Sequence, residues 1–259
     1  MRNSDCLPAD HCPLEYDPQF ALPSLHRIGA YTGVSLSNTF ALETCFNWTG
    51  VLIEANPRNF QKLQRSGRKA QMVHSAVCAN EGTTRMTVAG DMTAGEYGAM
   101  SPEYLRRWGR GNGAAKNESV VVPCKPLKSI VESAGFNSID FLSLDVEGAE
   151  EIVLRTADPS MFGLVMVEAD ATDKAKDARV VDYGLAGGLR LSQHVKVRAS
   201  DIMLRSDVQE TLVHEIPKGF IGPLNGFKIF KFQPSQERLT SEIKNARHSH
   251  TTMKLMDAT

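Results

Sequence analysis

The chain lacks any long apolar run. None approaches the roughly 20 consecutive apolar residues that a membrane-spanning helix needs. The N-terminal stretch also lacks the basic-then-apolar order of a signal peptide. These two absences predict a soluble, cytoplasmic protein without a membrane segment. The alternative is a secretory location, which would apply if the N-terminus of this sequence is truncated.

The sequence also has little net charge and few cysteines. A formal charge of -1 over 259 residues gives no electrostatic case for nucleic acid, so we expect no nucleic-acid partner. The five cysteines are odd in number and form no CxxC pair, which predicts neither a metal site nor a disulfide framework. Buried free thiols are the expectation for Cys6, Cys12, Cys45, Cys78 and Cys124.

Nucleotide phosphate fingerprints are missing as well. The segment GAYTG (29–33, the glycine turn) follows a short apolar stretch and precedes capping residues, in the order of a strand, a turn and a helix start. It lacks the Gly-Lys-Ser/Thr of a P-loop and the three-glycine spacing of a dinucleotide fold. Exposed amides at such a turn favour an anionic ligand group, although a purely structural turn is an equal alternative.

What the chain does contain is an alternation of predicted strands and helices, which indicates an α/β fold with a mostly parallel sheet. Asn56 as N-cap and Pro57 at the first turn predict a helix over 57–66. The segments 196–204 and 227–232 are predicted to form a closing antiparallel pair. The basic residues around this helix, Arg68 among them, are expected on a solvated face.

One domain accounts for this pattern. It is expected to cover 25–233, with a glycine-rich insertion or lid at 89–118 that interrupts the periodicity. The segment 1–24 is expected to be a partly disordered extension, and the polar segment 234–259 a disordered tail.

Two predicted strands end in acidic residues. Asp145 and Glu147 follow the apolar run FLSL and precede a helix, and Glu54 ends the strand VLIE about twenty residues after the glycine turn. The carboxyl ends of parallel strands meet at one edge of the sheet, where ligands bind. An acidic residue at the position of Glu54 accepts hydrogen bonds from ribose hydroxyls in nucleotide-binding folds. A surface carboxylate near a helix N-terminus is the alternative for Glu54.

Together, IGAYTGVSLSNT, VLIEANP and IDFLSLDVEGAEE resemble the FkbM family of S-adenosylmethionine-dependent methyltransferases, over about residues 28–168. The resemblance implies a Rossmann-like class I methyltransferase fold with an antiparallel last strand. It implies methyl transfer from S-adenosyl-L-methionine to a hydroxyl, here of a small molecule or glycan.

The resemblance also implies roles for individual residues. Gly29, Ala30 and Gly33 would lie beside the methionine and ribose of the cofactor, and Glu54 would bind the ribose hydroxyls. Asp145 and Glu147 would face the methyl group and the acceptor. The residues implied on the adenine side are Ala55, Asn56, Ser75 and Ala76.

Methyl transfer to a hydroxyl needs an aligned acceptor, and a carboxylate nearby can take the hydroxyl proton. Asp145 is the first candidate for this base and Glu147 the second. Asp145 could instead orient the cofactor or cap a helix. His74 and His194 are weaker candidates.

One position departs from the family. The strand before the glycine turn normally carries an acidic residue two places before the first glycine, where it receives the cofactor's amino group, and here Arg27 occupies that place. A cation there should weaken binding of an ammonium and a sulfonium. Arg27 thus favours one alternative, a non-catalytic, partner-binding protein similar to Star-like relatives in trafficking. A nicotinamide-dependent oxidoreductase is a further alternative, which the missing third glycine disfavours.

Overall fold

The computed structural model describes residues 24–87, 94–96, 98–108, 119–169, 172–193, 199–215 and 228–234. Except for Ser24 and Pro234, the expected N-terminal extension and C-terminal tail lie outside these residues, and so does His194.

Twelve strands are present in this part of the chain: β1 (Ser24–Ile28), β2 (Thr49–Glu54), β3 (Gln71–His74), β4 (Ala76–Val77), β5 (Gly82–Thr87), β6 (Ser119–Lys125), β7 (Ile139–Leu144), β8 (Phe162–Glu168), β9 (Leu189–Leu191), β10 (Ser200–Arg205), β11 (Val208–Glu215) and β12 (Lys228–Pro234). The helices of the same part are α1 (Phe40–Phe46), α2 (Pro57–Gln64), α3 (Pro102–Trp108), α4 (Leu127–Ser133), α5 (Glu150–Arg155) and α6 (Lys174–Ala186), with a 3-10 turn at Pro159–Met161.

The main sheet has seven strands in the order β3-β2-β1-β7-β8-β10-β9. The first five are parallel, and β10 runs antiparallel to both β8 and β9. The mostly parallel sheet with a reversed strand confirms the predicted fold class. Counted in chain order within this sheet, the strands read 3-2-1-4-5-7-6, so the sheet shares the first five places of the dinucleotide-binding order 3-2-1-4-5-6 and departs from it by the reversed strand inserted before the last one.

Burial of the central strands follows from their position between two helical layers. Every residue of β1 is buried, and alternate residues of β1 and β2 pack on opposite faces because side chains alternate along a strand. Ile28 and Ile53 join a large core that includes residues of α4, α5 and α6. Leu25 and Leu52 join a smaller core together with Leu63 of α2.

Helix α2 forms as the sequence predicts, ending two residues earlier. The Asn56 side chain accepts a hydrogen bond from the Arg58 amide at 2.9 Å, and Pro57 occupies the first turn. Pro57 tolerates that place because a first-turn amide has no intrahelical partner.

The predicted pairing of the last strands is wrong. β10, which overlaps 196–204, pairs with β8 and β9, whereas β12, which overlaps 227–232, pairs with β11. The sequence pattern did not predict β11 as a strand of its own. Which strands pair also depends on contacts between residues far apart in the sequence.

The expectation that 89–118 contains no core element needs correction. Its described part includes α3, and Met100 and Tyr104 are buried. The glycines masked this helix because they break the apolar periodicity on either side of it.

Two further expectations are corrected. Cys78 and Cys124 are paired as a disulfide, with Cα atoms 5.8 Å apart, rather than remaining free thiols. They meet because β4 pairs with β6, which spacing along the chain does not reveal. Arg68 is buried at 6% exposure rather than solvated, because Glu43 provides a counter-charge inside the protein.

Candidate functional site

The glycine turn lies against the C-terminal end of β7. The Gly29 and Ala30 amides donate to the Ile53 carbonyl at 3.1 and 3.0 Å, which ties the turn to β2. Gly29 has φ +78°, and a Cβ there would lie 1.8 Å from the Asp145 carbonyl oxygen. Only glycine allows this approach, so the glycine turn lies directly against the chain that follows β7.

Glu54 ends β2 inside the protein, at 6% exposure. Its Oε2 accepts the Tyr31 amide at 2.6 Å and its Oε1 accepts the Asn56 amide at 2.8 Å. No lysine or arginine of the described ranges forms an ion pair with it. Burial raises the pKa of Glu54 to about 7, although the two amides act in the opposite direction. Each carboxylate oxygen keeps further acceptor capacity for a ligand hydroxyl.

The acidic turn comprises residues 145–148, between β7 and α5. The Asp145 amide donates to the Ile28 carbonyl at 3.2 Å, so the turn starts beside β1. Glu147 has a left-handed conformation with φ +58°, which is uncommon for a residue other than glycine. Gly148 has φ +114°, and a Cβ there would lie 2.6 Å from the Ala99 carbonyl oxygen. The segment that leads into α3 therefore packs on this turn.

Two more side chains complete the acidic side. The register of β7 and β8 pairs Leu144 with Val167, so Asp145 and Glu168 extend from neighbouring strand ends. They share a hydrogen bond, and burial followed by the charges of Asp145 and Glu147 raises the pKa of Glu168 to about 9. Burial and the neighbouring charges thus favour the protonated form of Glu168, and a hydrogen bond joins its carboxyl group to that of Asp145.

Tyr104 of α3 contacts the same side. Its hydroxyl hydrogen-bonds to Glu147, and burial followed by the Glu147 charge raises the tyrosine pKa well above its usual value. The phenol is thus a permanent donor to the Glu147 carboxylate.

Arg27 is the cation of the crevice, with 2% exposure. Its Nε donates to the Gly29 carbonyl at 3.1 Å and its Nη1 to the Leu36 carbonyl at 2.7 Å. Burial lowers the pKa of Arg27, whereas Asp145 and Glu54 favour its charged form. The residue therefore holds the glycine turn and places a positive charge beside both acidic groups.

The cavity between the two turns measures about 100 Å³. Ligand pockets typically measure about 300–1,000 Å³, so a nucleoside-sized ligand requires this one to widen. The predicted site residues that line it are Gly29, Glu54, Ala55, Ser75, Ala76, Asp145 and Glu147.

The other three predicted residues lie behind this lining. Ala30 is fully buried in the core, and Asn56 caps α2. The Gly33 amide donates to the Ala30 carbonyl at 2.8 Å, which closes the turn. These contacts support the turn, and none of the three residues reaches the cavity wall.

His74 is held structurally. Its Nε2 is 3.1 Å from the Ala55 carbonyl oxygen, and its ring stacks on Phe60 with centroids 4.8 Å apart. It is not among the residues that line the cavity.

Sequence reasoning missed Glu168, Tyr31 and Tyr104. Glu168 carried a usable signal, because it ends a predicted strand at the same sheet edge as Asp145 and Glu54. Tyr31 and Tyr104 carried none, since a tyrosine in a turn or a glycine-rich segment has many possible roles.

Within the described residues, no helix is long and apolar enough to cross a membrane. The same residues contain no group of three or more His, Cys, Asp or Glu side chains suited to a metal ion.

The strand order and the crevice at the strand ends define a Rossmann-like α/β fold with one reversed strand. Residues 27–184 match the family described as Methyltransferase FkbM domain, and the chain belongs to that family. A comparison with curated proteins finds no match.

Three solved structures show weaker similarity. The methyltransferase FkbM from Methylobacillus flagellatus KT is 15% identical with a TM-score of 0.44, covering 71% of this chain and 43% of that one. A precorrin-6y C5,15-methyltransferase from Geobacter metallireducens GS-15 is 13% identical with a TM-score of 0.34, covering 82% and 74%. A fibrillarin/Nop5p complex chain is 12% identical with a TM-score of 0.37, covering 70% of each. This chain thus spans less than half of the FkbM structure.

Proposed function

We propose that this protein is an S-adenosylmethionine-dependent methyltransferase that methylates a hydroxyl of a small molecule or glycan. The observation that carries the proposal is Glu54, a buried carboxylate at the end of β2 that borders the cavity without an ion-pair partner in the described chain. A buried carboxylate without a bound cation is unfavourable, and hydroxyl donors of a ribose would stabilise its charged form.

The residues present fit the nucleoside part of S-adenosylmethionine better than its methionine part. Glu54, Ser75 and Ala76 form a wall suited to a nucleoside. Arg27 stands where the family resemblance puts the amino group of the methionine, and its buried charge disfavours an ammonium or sulfonium nearby.

The bound cofactor would supply the methyl group on its sulfonium. In that reaction the acceptor oxygen would take the methyl carbon from the sulfur, and a carboxylate of the crevice would accept the hydroxyl proton. Asp145 is the proposed base and Glu147 the second candidate, because both line the cavity. Glu168 holds the Asp145 carboxylate through a hydrogen bond.

Titration calorimetry with S-adenosylhomocysteine and, separately, NAD tests the ligand. We expect S-adenosylhomocysteine to bind more tightly, because Glu54 and the glycine turn offer no pyrophosphate fingerprint. Glu54→Gln should weaken that binding by about 1–3 kcal/mol, the range for hydrogen bonds to a charged group. Equal or tighter NAD binding would reject the assignment.

A non-catalytic role in binding a partner is the second candidate, and Arg27 favours it. Arg27→Met removes the charge and keeps an apolar stem, which separates the two candidates more cleanly than Arg27→Glu would. A glutamate at this place would add a third carboxylate beside Glu54 and Asp145. For an enzyme, Arg27→Met should tighten S-adenosylmethionine binding by about tenfold, since a buried like charge is removed. If the protein binds neither S-adenosylmethionine nor S-adenosylhomocysteine before and after the substitution, the methyltransferase proposal is rejected and the partner-binding candidate is the one left to test.

A further inference from the structure

Each turn of the crevice is held by a buried pair of a glutamate and a cation, through the glutamate at the acidic turn and through the cation at the glycine turn. Glu43 and Arg68 lie next to the glycine turn, and Glu150 and Lys176 lie behind the acidic turn. Neither pair lines the cavity. Their contacts are with the backbone that carries the lining residues.

Glu150 bridges the acidic turn. Its Oε1 accepts the amides of Val146 at 3.2 Å and Gly148 at 3.1 Å, the residues on either side of Glu147. Its Oε2 accepts Lys176 Nζ at 2.5 Å, and Glu150 is fully buried. The two amide contacts hold the left-handed Glu147 in place, because a strained residue persists only when its surroundings fix it.

Arg68 plays the corresponding part for the glycine turn. Its Nη1 donates to the Gly33 carbonyl at 2.5 Å and its Nη2 to the Thr39 carbonyl at 3.3 Å. Its Nε donates to Glu43 at 2.9 Å, and Glu43 also accepts the Lys69 and Ala70 amides. The planar guanidinium thus connects the loop after β1 to the start of β3.

We infer that Glu150–Lys176 and Glu43–Arg68 are independent positioning pairs: the first sets Glu147 and, through it, the docking of α3, and the second sets the glycine turn. The link from Glu147 to α3 is the hydrogen bond from Tyr104. This inference deepens the proposed function and rests on it only for the roles of the two turns in binding.

Hydrogen exchange measured by mass spectrometry on the full chain tests the separation. Glu150→Gln places an amide donor against either Lys176 or the two turn amides, so one set of contacts must break. We expect exchange of 102–108 to rise by about tenfold, with 29–39 unchanged. Glu43→Gln should raise exchange of 29–39 and leave 102–108 unchanged. Exchange of β7 reports any global loss of stability.

Two controls keep the result interpretable. Glu150→Gln with Lys176→Met lets the glutamine oxygen face both amides without an opposing cation, and this double variant should recover protection of 102–108. Arg179→Met breaks the exposed Arg179–Glu151 contact between the same two helices, α5 and α6, and should change neither segment.

Binding of S-adenosylhomocysteine adds a second readout. Glu43→Gln should weaken it by about tenfold, and Glu150→Gln should leave it within twofold. Two results would overturn the inference: both variants loosening both segments equally, or a folded Glu150→Gln protein with unchanged exchange in 102–108. A wild-type protein that binds no S-adenosylhomocysteine would instead reject the proposed function, while the exchange results would still decide the inference.

Discussion

Glu54 lines the crevice, whereas Glu150 lies behind the acidic turn, and the two glutamates also differ in their counter-charges. Both are buried, and each accepts two backbone amides. Glu150 also accepts a hydrogen bond from a buried counter-charge, Lys176, whereas Arg27 acts on Glu54 through its charge alone and donates its hydrogen bonds to the Gly29 and Leu36 carbonyls. Burial accordingly raises the pKa of Glu54 to about 7. Glu150 thus finds its hydrogen-bond donors and its counter-charge inside the protein. Glu54, at the end of β2, is the buried carboxylate that is available to a ligand.

Removing Lys176, the counter-charge of Glu150, should have the largest effect on stability. Lys176→Met leaves Glu150 buried without a counter-charge, which should lower the free energy of unfolding by about 3–5 kcal/mol. Urea denaturation at pH 7 measures this. The double variant Lys176→Met with Glu150→Gln should recover most of the loss, and a loss that persists there would show that packing rather than charge is responsible.

Glu54 should make stability fall with rising pH. Its pKa is about 7 in the folded protein against 4.5 ordinarily, so the folded state binds the extra proton between these values. Stability is full below pH 4.5 and lost as the pH rises through 7, by about 3 kcal/mol in total.

Glu54→Gln cannot titrate, so its stability relative to wild type should improve by that amount between pH 4.5 and 8. Urea denaturation of both proteins across this range gives the difference. A constant difference between the two proteins would mean that Glu54 is solvated.

His26 should act in the opposite direction. It is fully buried, neither ring nitrogen has a partner in the described chain, and burial lowers its pKa to about 4 from 6.5. Its stability contribution is present above pH 6.5 and lost as the pH falls through 4.

At pH 5 this loss should reach about 2 kcal/mol. His26→Leu should therefore stabilise the protein more at pH 5 than at pH 8, as thermal unfolding at the two values would show. An equal gain at both would assign the effect to packing against Phe136, which the imidazole contacts edge-on.

The smallest effect is expected at the exposed pair between α5 and α6. Arg179 Nε lies 2.8 Å from Glu151 Oε2, with the arginine side chain half exposed. Water screens such a pair, so Arg179→Met should leave unfolding by urea unchanged. A clear loss there would show that the Lys176 result reflects contact between the two helices in general.

Local signals in the sequence were sufficient for several elements. The Asn56-Pro57 cap gave the start of α2, and the apolar run before Asp145 gave β7. Glu54 and Asp145 were placed at the same sheet edge because parallel strands end together, and both line the cavity. These inferences needed only neighbours in the chain and one rule of sheet architecture.

What the sequence could not reveal depends on partners far apart in the chain. Arg68 meets Gly33 across 35 positions, and Lys176 meets Glu150 across 26. The pairing of Cys78 with Cys124 spans 46 positions. No local pattern distinguishes a buried cation from a solvated one, because burying the cation is tolerated only when another element of the fold supplies its counter-charge.

The sequence by itself thus determined the alternation of strands and helices, the sheet edge that carries the acidic residues and the family. The tertiary structure alone decided that Glu150 forms an ion pair with a buried cation and that Glu54 does not. The physical reason is that periodicity and caps act over a few residues, whereas the charge state of a buried group depends on every element packed around it.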